Sequence, residues 1–361
     1  TYASNDTSVV NVSSTGVIRA VNAGTAIVTV SFAGDKKYAE AENRTVAITV
    51  NLNPASVSVN NNTLDLVIGD DFILIGETSP AGLNVTFTST NSSVVTVDAD
   101  GHVNAVGDGH ATIVVSVGDD KVYAINTTDV DVSVKIPTEI TVVPASLDLF
   151  VGDEAVIVAD LTPAGAGNVI FTSSDDSVVI VDAQGNVIAD GKGQAIITVS
   201  FAGDDKYAAA ENRTVNVTVS LNDASVTVEN STLDLKVGEI YKINATKHPD
   251  TILLDITYTS GDSSVASVDE NGSVTAVGEG SAVITVEVGD GEIYAKNSTN
   301  VTVTVGKVPT EIAAGPITAT YNVNKDLVIT LKDSNGTPLS GQNISVELNG
   351  AKTYTTDANG T

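Results

Sequence analysis

The chain has no cysteine, no methionine and no tryptophan, and aromatic residues of all kinds make up 4% of its 361 positions. Without cysteine there is no disulfide framework, so a small cross-linked scaffold is excluded and each folding unit must be held by its own apolar core. A cysteine nucleophile is excluded with it. Positive charge is also scarce: 17 Lys and Arg stand against 45 Asp and Glu, a net charge of −28 with no basic cluster. Nucleic acid and anionic lipid are poor partners for such a chain. No apolar run approaches the roughly 20 residues that a membrane span needs, and no charged-then-apolar leader precedes the first pattern. No membrane insertion is therefore expected within these residues. With no methionine at position 1 and a pattern already under way at residue 2, the sequence reads as an internal piece of something longer.

What is present repeats. The stretch FAGDKKYAEAENRTVAITV at residues 32–50 returns as FAGDDKYAAAENRTVNVTV at 201–219. Tyr38, Tyr123, Tyr207 and Tyr294 keep a period of about 85 residues, as do Gly16, Gly101, Gly185 and Gly272, and Gly24, Gly109, Gly193 and Gly280. That is the length of one small domain. Odd copies resemble odd and even resemble even, since VGDDKVYAINTTDVDVSVKIPTEI from Val117 matches VGDGEIYAKNSTNVTVTVGKVPTEI from Val288. The unit that was copied was a pair, a pattern that suits selection for length or valency better than selection for one site.

Within residues 137–219, AIITVS alternates Ala195, Ile197 and Val199 with Ile196, Thr198 and Ser200, which is a strand with one buried side. Similar runs occur at ASLDLFV, EAVIVADL, NVIFTSS, SVVIVD, NVIAD and TVNVTV, separated by the turn signals VGD, PAGAG, DAQGN and GKG. About seven short strands per repeat, and no sustained helical period, predict an all-β fold of tandem antiparallel sandwiches of immunoglobulin-like type. The glycines of DADGH, DAQGN and DENGS read as hairpin turns.

The stretch from Phe171 to Val199, FTSSDDSVVIVDAQGNVIADGKGQAIITV, resembles the bacterial immunoglobulin-like domain of group 2: an aromatic, Ser-Ser, a Ser-Val-x-x-Val-Asp step, a glycine hairpin and a Gly-x-Ala-x-Ile-Thr-Val strand. Where that family often has tryptophan this chain has Phe87, Phe171 and Tyr258. The resemblance divides the chain into a partial domain at 1–51 that lacks its first strands, full domains at 53–134, 137–219 and 222–305, and a partial domain at 309–361 that is similar instead to the group 1, invasin-like type. In the first copy Tyr2 takes the aromatic position, so Ala26, Val28 and Val30 are expected to lack an opposing sheet. The FAGDDKYAAAENRTVNVTV tail is similar to adhesin-like surface proteins of methanogenic archaea, which implies an extracellular, cell-surface location. Joints such as VAITVNLNPASVSV have no Gly/Ser hinge, and four sandwiches of this strand length in line would make a rod on the order of 150 Å.

Asparagine is unusually well placed. With 29 Asn and 74 Ser plus Thr the chain holds 17 Asn-x-Ser/Thr acceptors, against about 6 expected by chance. A strand written from Asn, Thr and Val produces some of them automatically, at Asn11, Asn84, Asn216, Asn244, Asn300 and Asn343. Others, among them Asn5, Asn43, Asn61, Asn91, Asn126, Asn212, Asn230, Asn271 and Asn297, sit mostly where turns or strand starts are expected. These are candidate N-glycosylation sites, with polar turn chemistry as the alternative.

No other chemistry stands out. Of His102, His110 and His248, the first stands opposite Val17, Asn186 and Ser273 in the other copies and the second opposite Thr25, Gln194 and Ser281, an interchange that suits exposed loops better than a zinc site. Asp98 with Asp100, and Asp119 with Asp120, invite a calcium reading at domain joints, but the EF-hand spacing is absent and turn formation explains them as well. Neither a Gly-x-Ser-x-Gly elbow nor a phosphate loop occurs, so no catalytic residue and no cofactor is named. Lys36, Lys121 and Lys206 fall in turns, the wrong place for a buried Lys–Asn cross-link. Two classes of function remain: a non-catalytic adhesin-like stalk that meets cell-surface or envelope glycans or proteins, or the accessory stalk of a large secreted enzyme whose catalytic domain lies elsewhere.

Overall fold

A computed structural model describes residues 1–347 and 350–361, and among these there is no helix. The repeat at 137–219 shows how the alternation folds. The strands Ser146–Phe150, Arg213–Ser220, Gly193–Ser200 and Ile170–Ser173 form one sheet in that order, and Glu154–Val156, Asn186–Ala189 and Val179–Val181 form a second. Glu139–Val143 pairs with Val158–Thr162 beside them. Every second residue of the long strands points inward, so Ile197, Val215 and Val217 of the first sheet meet Val179, Val187 and Ala189 of the second, all at 1% exposure or less, while Val199 packs with Ile140 and Phe201. The repeats at 53–134 and 222–305 reproduce these sheets, each around its own core.

Two expectations need correction. The sandwich is not wholly antiparallel, because Ser146–Phe150 runs parallel to Arg213–Ser220, as Thr63–Val67 does to Asn126–Lys135 and Thr232–Lys236 to Asn297–Gly306. After its first strand the chain crosses from one sheet to the other and lies alongside the repeat's last strand, heading the same way. The strand count is nine rather than seven in the specimen repeat, partly because EAVIVADL breaks at Ile157. That side chain is 1% exposed and its amide donates to Gly185 O at 2.8 Å, so the segment leaves one ladder and joins another. Leu74 and Ile243 do the same with Gly101 O and Gly272 O.

The first copy is better covered than its missing strands suggest. Tyr2 does pair with Val30, at the position where Phe87 pairs with Val115, Phe171 with Val199 and Tyr258 with Val286. Ala26 and Val28, however, are each 2% exposed, because Val9 and Val10, at the entry to the hairpin Val10–Val12/Ile18–Ala20, pack over them. Val30 remains half-buried, and Phe32 and Val46 lie open. At the other end Thr310–Ala314 pairs with Ile329–Asp333 and Asn343–Glu347 with Ala351–Thr355, while Ile312, Tyr321 and Val328 stand exposed.

The whole chain exposes 22224 Å², whereas a compact monomer of its mass would expose roughly 13,600 Å². Cores that do not merge leave each repeat with its own surface.

Candidate functional site

A repeated Gly-Asp stretch, with its tyrosine four residues after the glycine at Gly34 and Gly203 and five after it at Gly118 and Gly289, builds a regular polar loop. Gly203 has φ +74°, and a Cβ there would stand 2.6 Å from Tyr207 O and Ala209 N, so only glycine lets the loop fold back so tightly. Asp204 then closes the turn: its Oδ1 accepts from Lys206 N at 2.8 Å and Tyr207 N at 2.7 Å. Asp119 accepts from the amides of Lys121, Val122 and Tyr123, and Asp290 from those of Glu292, Ile293 and Tyr294. Asp35 does so with Lys37 and Tyr38. Bonds to the charged form favour it. The amides of Tyr123, Val122 and Lys121 hold the Asp119 carboxyl at about 2, and the amides of Tyr207 and Tyr294 lower Asp204 and Asp290 in the same way.

What these loops hold is the joint. Ile136, three residues before the start of the 139–143 strand and one past the preceding repeat's last strand, donates its amide to Lys206 O and accepts from Ala208 N, both at 2.8 Å. Asn53 is gripped identically between Val122 O and Ala124 N, and Asn222 between Ile293 O and Ala295 N, at 2.9 Å throughout. The three tyrosines therefore face a linker residue each. Contacts also cross the joint: Asn222 Nδ2 donates to Val151 O of the preceding repeat at 2.8 Å, and Lys135 at the end of one repeat helps to lower the Asp204 carboxyl of the next. The alternation of apolar residues gives no sign of Asn53, Ile136 and Asn222; an isoleucine serves at one joint where asparagine serves at the other two, because the grip is on the backbone. Their only common mark is their place between two strands.

The residues singled out for metal or cross-linking chemistry are not brought together. His102, His110 and His248 are exposed but sit on strands rather than in loops, which corrects that detail of their reading. Asp98 spends Oδ1 on the amides of Asp100 and His102 in its hairpin turn, and Asp119 on its own loop as described. Among the described residues no three His, Cys, Asp or Glu side chains converge as metal ligands would. Lys206 lies in its turn with Nζ 5.6 Å from the Tyr207 ring, and Lys36 and Lys121 are likewise exposed in bends.

All nine singled-out asparagines are exposed. Structural duty accounts for some. Asn91 Oδ1 accepts from Ser93 N and Oγ, the cap that Asp6, Asp175 and Asp262 supply in the other copies. Asn5 Oδ1 takes Ile27 N, where Thr90 takes Thr112 N and Ser174 takes Ile196 N. Asn230 Nδ2 donates to Tyr241 Oη at 2.8 Å. Asn61 and Asn271 lie in loops, Asn126 and Asn297 begin last strands, and Asn212 directly precedes one. Asn43 is already inside its strand, a small departure from the turn or strand start expected of it.

One family model agrees with this architecture. The bacterial Ig-like domain (group 2) matches residues 50–125, 137–210 and 223–294, and its domains are typically non-catalytic structural modules. An uncharacterized protein of Clostridium acetobutylicum is 32% identical over 159 residues, 43% of this chain and 16% of that protein. Ice-binding protein 1 of Shewanella frigidimarina is 27% identical over 305 residues, 79% of this chain and 33% of that one. The chain thus spans a third or less of the length of these curated relatives. Among solved structures, domains 4–9 of surface layer protein SbsC align at 17% identity over 99% of this chain and 73% of that one, with a TM-score of 0.28. Drosophila N-cadherin EC1-4 aligns at 13% identity over 85% and 91%, with a TM-score of 0.25.

Proposed function

The chain belongs to the bacterial Ig-like domain (group 2) family, and from that membership and its joints we propose that it is a non-catalytic, extended stalk of an adhesin-like protein at the cell surface. The observation that carries this reading is the grip on Asn53, Ile136 and Asn222, which gives each of these three joints two backbone hydrogen bonds in place of a free hinge. Such joints favour projection over collapse, and the exposed area of 22224 Å² fits a chain of separate units. The partners are cell-surface or envelope glycans or proteins. The stalk contributes reach, while the specific contact surface lies mainly in other parts of the protein. Its three arginines and few aromatics give it little of what anchors a tight interface. The segment 309–361 is, on its resemblance, the opening of a group 1-type domain in the same array.

Small-angle scattering and electron microscopy of the chain, followed by its passage over immobilised glycans, wall preparations and host proteins, test this. An elongated particle without saturable micromolar binding is expected. A compact particle, or micromolar binding by this chain alone, overturns the reading.

A second reading, the accessory stalk of a large secreted enzyme, is favoured by one fact: the curated relatives are three or more times longer than the stretch they share with this chain. A catalytic domain found in the remainder of the gene would select it.

A further inference from the structure

We propose that Asn43, Asn126, Asn212 and Asn297 carry N-linked oligosaccharides, placed at the start of each repeat's last strand so that those of Asn126, Asn212 and Asn297 stand beside the linkers. The inference requires only that the chain leaves the cytoplasm. It holds or fails separately from the stalk reading.

The argument begins with the register. Val30 faces Arg44, Val115 faces Thr128, Val199 faces Arg213 and Val286 faces Thr299. Counting back from those partners, Asn43 and Asn212 stand where the other copies have Thr127 and Ser298, and Asn126 and Asn297 stand where the others have Glu42 and Glu211. The acceptor has therefore been written at two different positions, one residue apart, and each version was then copied with its pair. An asparagine needed for a turn or a ladder stays at its position, because a one-residue slip in a strand moves a side chain to the opposite face. A modification signal needs only to be exposed and near the same place. At this strand start all four copies keep one.

Local chemistry leaves the acceptor atom available. All four side chains are exposed. Where the structure engages the amide, it takes the oxygen: Asn126 Oδ1 accepts from Val57 N at 3.4 Å and Asn297 Oδ1 from Val226 N at 3.1 Å. Nδ2, the atom that would bear sugar, is not used in either bond, in contrast to Asn230, whose Nδ2 is given to Tyr241. The same bonds place the sites near the joints, since Val57 and Val226 lie in the first strand after the linker residues Asn53 and Asn222. Next to Asn212, Arg213 Nε donates to Ile140 O at 3.0 Å, in the strand that follows Ile136.

The reaction is a group transfer without redox change. The co-substrate is an oligosaccharide linked through its anomeric carbon to a polyisoprenoid phosphate or pyrophosphate. Asn Nδ2 forms the new bond to C1 of the sugar. The C1–O bond to phosphate breaks, the phosphate oxygen leaves with the electron pair, and one Nδ2 proton passes to a base of the transferase. Bulky, hydrophilic chains at these positions would cover the short segments between repeats.

The test is mass spectrometry of peptides from the protein purified from its native cells, beside the same chain made in a bacterial host without N-glycosylation. A sugar mass shift is expected on the peptides holding Asn43, Asn126, Asn212 and Asn297 in the native material alone. Native Thr214→Ala, an exposed change that keeps Asn212 but removes the acceptor motif, is expected to lose the shift on that peptide and keep the other three. Unmodified peptides at all four sites overturn the proposal. So does sugar confined to other acceptors such as Asn335, or a shift that survives Thr214→Ala.

Discussion

The ring of Tyr258 lies against Gly272 so closely that a Cβ on the glycine would stand 2.6 Å from Cζ of the ring. Phe171 covers Gly185, Phe87 covers Gly101 and Tyr2 covers Gly16 in the same way. The glycine turns the hairpin at positive φ, and the aromatic from the facing sheet seals it, so one contact joins the two layers of each sandwich. Burial under this arrangement raises the Tyr258 hydroxyl above its ordinary pKa.

Gly185→Ala is the sharpest probe of that contact. Gly185 has φ +84°, and the added methyl would meet Ile157 O at 2.2 Å and the Phe171 ring at 3.1 Å. Left-handed backbone alone costs about 1–2 kcal/mol for a residue with a side chain, and the clash adds to it. A urea melt of residues 137–219 is expected to show a loss of about 2 kcal/mol or more, while a loss below about 0.5 kcal/mol would contradict the packing.

Residues 137–219 and 222–305 are each expected to fold alone, because the buried cluster of each is drawn from its own strands. Circular dichroism rich in β-signal and a cooperative thermal transition for each piece are the expected result. In the intact chain, amides of residues 1–50 should exchange with solvent faster than those of 137–219, since the buried members of their cluster are Val9, Val10, Ala26 and Val28 alone.

The aspartate loops have a defined acid limit. Asp119 is held at about 2 in the fold, against about 3.9 in an unfolded chain. A lowered carboxyl contributes stability that is complete above the unfolded value and is lost as pH falls through the folded one. The Asp119–Tyr123 loop should therefore be intact at pH 5 and open progressively between about 4 and 2. An NMR titration of the Asp119 carboxyl carbon is expected to inflect near 2, and an inflection near 4 would remove the three amides from the account. Asp119→Asn should make the loop looser and insensitive to pH over that range.

Ile136→Pro removes the amide that donates to Lys206 O at 2.8 Å. The lost hydrogen bond is worth about 1 kcal/mol, spent at one joint. Scattering from the chain is expected to show a shorter maximum dimension while the melts of the flanking repeats stay in place. An unchanged dimension would show that the joint is held by something other than the grip on its backbone.

Local pattern in the letters was enough to place the strands, though not their pairing. Alternation in AIITVS, NVIAD and TVNVTV, glycine at each hairpin and an 85-residue beat were enough to place strands, buried faces and family, because those features are local and periodic. Tertiary structure decided what long-range pairing controls. Ser146–Phe150 became a parallel neighbour of Arg213–Ser220, Ile157 broke a run that reads as one strand, and Val9 and Val10 covered a face that looked bare. The joints belonged to this second class as well: the Gly-Asp loop that ends in tyrosine is plain in the sequence, but Asn53, Ile136 and Asn222 are gripped through backbone amides and carbonyls, so an isoleucine does at one joint what asparagine does at two.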